Sequence, residues 1–243
     1  MIFLKKRTLW AGAFCFCAGI GLSLLLTGLF AAPHRPVFAA AGGAPVVWII
    51  DPGHGGEDGG AVSPDGIAES GINLDVSLRL NELLRLTGQQ TLMTRREDLS
   101  VCDDGLSTIR ARKASDIRNR TALVNETPNG VLVSIHQNSL PSSPETHGAQ
   151  AFWNNTQGGE TLASFVQDTL NSAINTERPK HPRQIPKTVY LMNHIAAPAV
   201  LVECGFLSNA AETTQLTNPD YQTKLAVAIT AGCLCATAGE DQP

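Results

Sequence analysis

Three polar residues, far apart in a chain of 243, each stand where an apolar run stops: His54, His136 and Glu203. Two imidazoles and a carboxylate suit a catalytic zinc with three protein ligands and an open position for water. Such a zinc lowers the pKa of its water and polarises a carbonyl. A further carboxylate must then act as general base and later return the proton to a leaving amine, and Glu203 is the candidate. For the third ligand, Glu69 heads a helical stretch and follows His54 across a loop able to fold back. Spacing alone leaves Glu57, Asp58 and Asp65 open beside it. Asp51 reads as structural, orienting the loop or a ligand histidine. No Gly-x-Ser-x-Gly elbow is present, which disfavours a serine hydrolase. Cys204 neighbours Glu203, but adjacent strand residues point to opposite faces, so it is not read as a nucleophile.

The elements that must position these groups follow from the pattern. Val46 to Ile50 is apolar and rich in β-branched and aromatic residues, a buried strand that Asp51-Pro52-Gly53 ends. His54 follows between Gly53, Gly55 and Gly56. From Ala68 the period becomes helical through Ile72, Val76, Leu80 and Leu84, and Gly88 stops the run. Gln90 to Thr94 is β-capable, and residues 107–126 form a charged helix with the basic cluster Arg110, Arg112, Lys113, Arg118 and Arg120. That cluster reads as a solvated face or as a contact for an acidic partner. Val131 to Ile135 is a second buried strand ending in His136, Gly148 to Trp153 another strand, and Gly159 to Asn175 a helix. Thr188 to Met192 reads as a short strand. Ala199 to Val202 is a third core strand, ending in Glu203, and a last helix runs from about Pro219 to Ala236. Strands alternating with helices predict a three-layer α/β/α domain with a largely parallel, mixed central sheet. Parallel strands share a carboxyl edge, where ligand sites gather in such sheets. Three residues from distant strand ends can therefore meet in one crevice. Among the other histidines, His147 could line that crevice, while His34, His181 and His194 read as linker or surface residues.

Lys5, Lys6 and Arg7 precede an uncharged apolar run from Thr8 to Ala32. This reads as a signal peptide or a signal anchor over residues 1–32, with membrane association through residues 8–32. A linker at 33–45, a catalytic domain at 46–237 and a tail at 238–243 follow. Either form of leader puts the domain outside the cytoplasmic membrane, secreted or anchored. Beyond residue 40 the chain holds 14 basic and 22 acidic residues, a net of −8 that excludes nucleic-acid binding by charge. Outside the leader, Cys102, Cys204, Cys233 and Cys235 show no zinc-finger spacing and read as small buried apolar residues, with a disulfide allowed by export.

The residues resemble the zinc-dependent N-acetylmuramoyl-L-alanine amidases of type 3. The resemblance runs from Val46 to Ala236 and is carried by Asp51-Pro52-Gly53-His54-Gly55-Gly56, Glu69 with Asn73 and Leu74, Thr94-Arg95 with Asp98, Arg120 with Asn125, Ser134-Ile135-His136-x-Asn138, Gly148, and Pro198 through Asn209. It implies that His54, Glu69 and His136 hold Zn2+ and that Glu203 is the catalytic acid/base. It also implies a peptidoglycan substrate, cut between N-acetylmuramic acid and L-alanine. Arg120 is left either to contact peptide carboxylates or to form an internal salt bridge. Arg110 through Arg120, Gly148-Ala149-Gln150-x-Phe152 and Val189-Tyr190-Leu191 are most similar to the spore-germination members. These act on cortex and prepare it for muramic δ-lactam formation, and some are thought to depend on an activating lipoprotein. Gln137 and Cys204 depart from the residues common in the family, near the site but not among the ligands. The alternatives are a vegetative wall amidase, a zinc peptidase, and an inactive peptidoglycan-binding module.

Overall fold

The computed structural model describes residues 45–238. The expected leader, most of the expected linker and nearly all of the tail lie outside the described residues. Six strands form one sheet: β1 (Val47–Pro52), β2 (Gln90–Met93), β3 (Gly130–Asn138), β4 (Gln150–Trp153), β5 (Arg183–Gln184) and β6 (Ala199–Phe206). Their order is β2-β1-β3-β6-β4-β5. β2, β1, β3 and β6 run parallel, whereas β4 is antiparallel to β6 and β5 is parallel to β4. The mixed, largely parallel sheet is the one expected.

Period-two alternation along the central strands builds two cores. Trp48 and Ile50, Val131, Val133 and Ile135, and Val200, Val202 and Cys204 face one side. There they meet α1 (Glu69–Leu86), α3 (Gly159–Ala173) and α6 (Pro219–Ala238). Ile49, Leu132, Ala199 and Leu201 face the other side, against α2 (Ile109–Glu126) and a single turn, α4 (Tyr190–Asn193). Strands buried on both faces explain why their sequences read as unbroken apolar runs.

Besides the two-residue β5, which the sequence reading did not anticipate, two features differ from it. Thr188 to Met192 is not a strand: Tyr190–Asn193 forms a helical turn, with the His194 N–H donating to Leu191 O at 3.1 Å. Asn193 closes the turn instead, donating to the carbonyls of Pro186 and Val189. The second is a short helix, α5 (Ala210–Leu216), whose N-cap Asn209 accepts from the Glu212 N–H at 3.1 Å.

Candidate metal centre

β1 ends at Pro52 and its ladder bonding continues one residue further, with the Gly53 N–H donating to Ile135 O at 3.0 Å. The chain then turns with His54 at φ 61°, the left-handed region, which costs a non-glycine residue roughly 1 kcal/mol or more. The surroundings hold it there. Arg95 donates to the carbonyls of Pro52 and Gly53, Arg120 to those of Pro52 and His54, and Asn73 to that of Gly53. Three successive carbonyl oxygens are thus turned away from the site onto buried donors. Both arginine side chains are buried, Arg95 at 0% and Arg120 at 2% exposure. Arg120 also pairs with Asp51 and with Asp116, each at 2.6 Å. It therefore forms the internal salt bridge and is too buried to meet peptide carboxylates.

Asp51 accepts from Thr94, Ser134 and Arg120. Burial alone would raise its pKa, but the Arg120 charge and the two hydroxyls hold it at about 2. It orients the loop through Arg120 and touches no ligand histidine.

Glu69 is the first residue of α1. The loop supplies the capping acceptors, since Gly59 and Ala61 carbonyls take the N–H groups of Ser70 and Glu69. The Glu69 carboxylate, 2% exposed, returns the contact by accepting from the Ala61 N–H at 2.7 Å. Its Oε1 lies 2.8 Å from His136 Nδ1 and 3.4 Å from His54 Nε2. Burial opposes its charge, yet the two histidines drive its pKa far below the ordinary carboxylate range. His54 is turned by Asp58, which sits 3.0 Å from Nδ1 and is itself held by Lys113 at 2.7 Å. That leaves Nε2 facing Glu69. Burial disfavours a charged His54, but Glu69 and Asp58 together raise its pKa to about 9.

The ligand atoms of His54, Glu69 and His136 all lie within 4.8 Å of one another. Four-coordinate zinc with bonds near 2.0 Å spaces its ligands by roughly 3.3 Å, and the 2.8 and 3.4 Å separations bracket that value. The donor set and its spacing fit a metal ion of the zinc type. Two glycines make the room. A Cβ on Gly53 would collide with the His136 ring, and one on Gly60, at φ +70°, would press on Glu69 and His54.

Glu203 lies on β6 directly opposite His136 on β3. Its Oε2 is buried with no hydrogen-bond partner among the described residues. Burial lifts its pKa from 4.5 to about 7, against the pull of His136. A cavity of about 140 Å³ reaches both histidines and is walled by Ile117, Val189, Leu191, Met192 and Leu201.

The remaining sequence candidates fall away from the cluster. Glu57 pairs with Arg112, Asp58 contacts a histidine ring rather than completing the ligand set, and Asp65 is exposed in its turn. His147 is exposed and lines a separate cavity with Gly148, Asn175 and Glu212. His181 and His194 are exposed, as expected. Of the basic cluster, Arg110 and Arg118 are solvated, while Arg112 and Lys113 hold the glycine loop. Cys102, Cys204 and Cys233 are free thiols; Cys204 and Cys233 are buried, and Cys102 and Cys235 partly so. Cys204 faces the core and burial raises its thiol pKa, which removes it as a nucleophile. Sequence reasoning named Arg95 and Asn73 only as carriers of the resemblance, Gln137 as a departure near the site and Lys113 as part of a solvated or partner-facing cluster, and gave none of them a part in holding the site. A buried arginine in a polar loop has no periodic signal, whereas Asp58, four residues after His54, was within reach as an orienting partner.

Residues 49–234 match the N-acetylmuramoyl-L-alanine amidase family. A germination-specific N-acetylmuramoyl-L-alanine amidase of Bacillus subtilis (strain 168) is 37% identical over 186 residues, covering 76% of this chain and 77% of that protein. The structure of the CwlD amidase from Clostridioides difficile, solved in complex with the GerS lipoprotein, is similar with a TM-score of 0.75 at 32% identity. The match covers 79% of this chain and 98% of that one. An N-acetylmuramoyl-L-alanine amidase from Clostridium difficile 630 gives a TM-score of 0.67 at 30% identity, covering 78% and 95%.

Proposed function

Because the chain belongs to the N-acetylmuramoyl-L-alanine amidase family, we propose that His54, Glu69 and His136 hold a catalytic zinc and that Glu203 is the acid/base of amide hydrolysis. The observation that carries this reading is the meeting of two imidazoles and a carboxylate, with ligand atoms within 4.8 Å, beside a half-buried carboxylate. Zinc supplies Lewis-acid polarisation of the amide carbonyl and a lowered pKa for water. The rest is the work of the chain's own groups. Asp58 fixes the His54 ring through Nδ1, and Glu69 is fixed by the Ala61 and Gln137 N–H groups. Glu203 takes the proton of the attacking water and returns it to the alanine nitrogen. A carboxyl with a pKa near 7 is suited to both transfers. The bond cut joins the lactyl group of N-acetylmuramic acid to L-alanine.

The biological setting is cortex peptidoglycan. The germination-specific relative and the CwlD structure support it. Stem removal by this enzyme, followed by a separate deacetylase, leads to muramic δ-lactam. The enzyme acts outside the cytoplasmic membrane, as its wall-amidase relatives support, and takes a lipoprotein partner as the CwlD amidase does. Muropeptide analysis of spores lacking this protein tests the setting: δ-lactam should be absent, and normal levels would refute it. Zinc content of the purified enzyme, with release of stem peptide from muropeptides, tests the chemistry.

A further inference from the structure

We propose that Asn73 is a positioning residue for the metal-binding carboxylate of Glu69, and that Gln137 fixes which way its amide faces. This rests on the reading of His54, Glu69 and His136 as metal ligands. Asn73 is fully buried one helical turn after Glu69. Its Nδ2 donates to Glu69 Oε1 and to Gly53 O, both at 3.1 Å. An amide nitrogen has two hydrogens, so both are committed. They join the ligand on α1 to the residue that precedes His54. The amide oxygen must then accept, and Gln137 Nε2 donates to it at 3.1 Å.

The direction of this relay is forced. Reversing Asn73 would set its oxygen against a carboxylate and a carbonyl. Reversing Gln137 would set oxygen against oxygen. Gln137 Oε1 is left buried without a partner among the described residues, so the fold carries that unmet acceptor rather than turn the amide round. Gln137 serves the ligand a second time, since its backbone N–H donates to Glu69 Oε1 at 3.1 Å. Neither side chain is a ligand candidate, and neither is among the residues lining the 140 Å³ cavity. Their effect on the reaction passes through Glu69.

The test uses the full chain, solubilised in mild detergent, with zinc affinity read by competition against a chromophoric chelator. Metal-free melting temperature and kcat and KM at saturating zinc are measured alongside. Asn73→Leu should weaken zinc by about 10–100-fold, the range for partners that orient metal ligands. Metal-free melting should fall far less than that loss implies. Gln137→Met should weaken zinc in the same direction but less. The double variant should be no weaker than Asn73→Leu, because Gln137 acts through Asn73. Wild-type zinc affinity in Asn73→Leu overturns the proposal, and additive losses in the double variant overturn the relay. Should Asn73→Leu fail to fold, Asn73→Ser supplies the same measurement. Glu69→Ala separates the two levels: if it binds zinc normally the ligand reading fails, and if it loses zinc while Asn73→Leu does not, only this proposal fails.

Discussion

Replacing Asp51 by asparagine removes one charge from the centre of the loop clamp and little else. Asp51 is 1% exposed, and its pKa falls from the ordinary 3.8 to about 2, with burial opposing and Arg120, Thr94 and Ser134 prevailing. That depression is worth about 2.5 kcal/mol of folding stability at neutral pH. Above about pH 4 both folded and unfolded chains hold the carboxylate ionised, so the whole contribution is present. Between 3.8 and about 2 the unfolded state binds the proton first, and the contribution drains away as pH falls. The asparagine has no such slope. Arg120 keeps Asp116 at 2.6 Å and two backbone carbonyls, so it is not stranded. The cost should therefore stay below the ~3–5 kcal/mol of an uncompensated buried charge. Urea unfolding of metal-free protein, followed by tryptophan fluorescence from pH 7 to pH 2, measures the gap between wild type and variant. It should be about 2.5 kcal/mol at pH 7 and close to nothing at pH 2. A gap that stays constant across that range would refute the assignment of the stabilisation to the Asp51 charge.

Glu203→Gln should bind zinc as the wild type does and lose about 10²- to 10⁴-fold in kcat, the usual worth of a general acid/base; full activity with muropeptide substrate would remove Glu203 from the chemistry. On the proposed ligand set, metal binding requires a neutral His54, whose pKa is raised to about 9. Apparent zinc affinity should thus fall about tenfold for each pH unit below 9; chelator competition that is flat from pH 7 to 8.5 would contradict this. Gly53→Ala drives a methyl into the His136 ring, so zinc content should fall well below stoichiometric, and a variant with full zinc would show that the ring has room to move.

The three core strands were legible because burial on both faces leaves unbroken apolar runs, each interrupted by a polar side chain near the same sheet edge; β3 and β6 nonetheless do not end at His136 and Glu203 but run on to Asn138 and Phe206. His54, His136 and Glu203 could be read from that alone. Glu69 could not, because four acidic residues within 15 of His54 were equivalent by spacing; the resemblance selected it, and what separates it is tertiary, since the glycine loop folds back to cap α1. The turn at Tyr190 was misread because Val189-Tyr190-Leu191 has strand propensity, while contact with Ile49 and Leu201 on the sheet decided otherwise. The short helix α5 has too few apolar residues for a period, although Asn209 followed by Glu212 is a capping signal. Arg120 was legible as far as an internal salt bridge, which it forms with Asp51 and Asp116, but not its bonds to the Pro52 and His54 carbonyls. Arg95 was beyond reach because its hydrogen-bond partners are backbone carbonyls, which leave no mark in a sequence.

His136 and Glu203 face each other across a ladder rather than across a loop. Their spacing is therefore the spacing of paired strands, about 4.8 Å, and belongs to the lattice of the sheet. Insertions in the connections before α2, after β4 or around α5 leave it unchanged, so those loops are free to diverge among relatives. A one-residue insertion in β3 before His136 or in β6 before Glu203 would instead turn that side chain to the opposite face of the sheet. Within this architecture, length changes in the connections can be inherited, while β3 and β6 must keep their count.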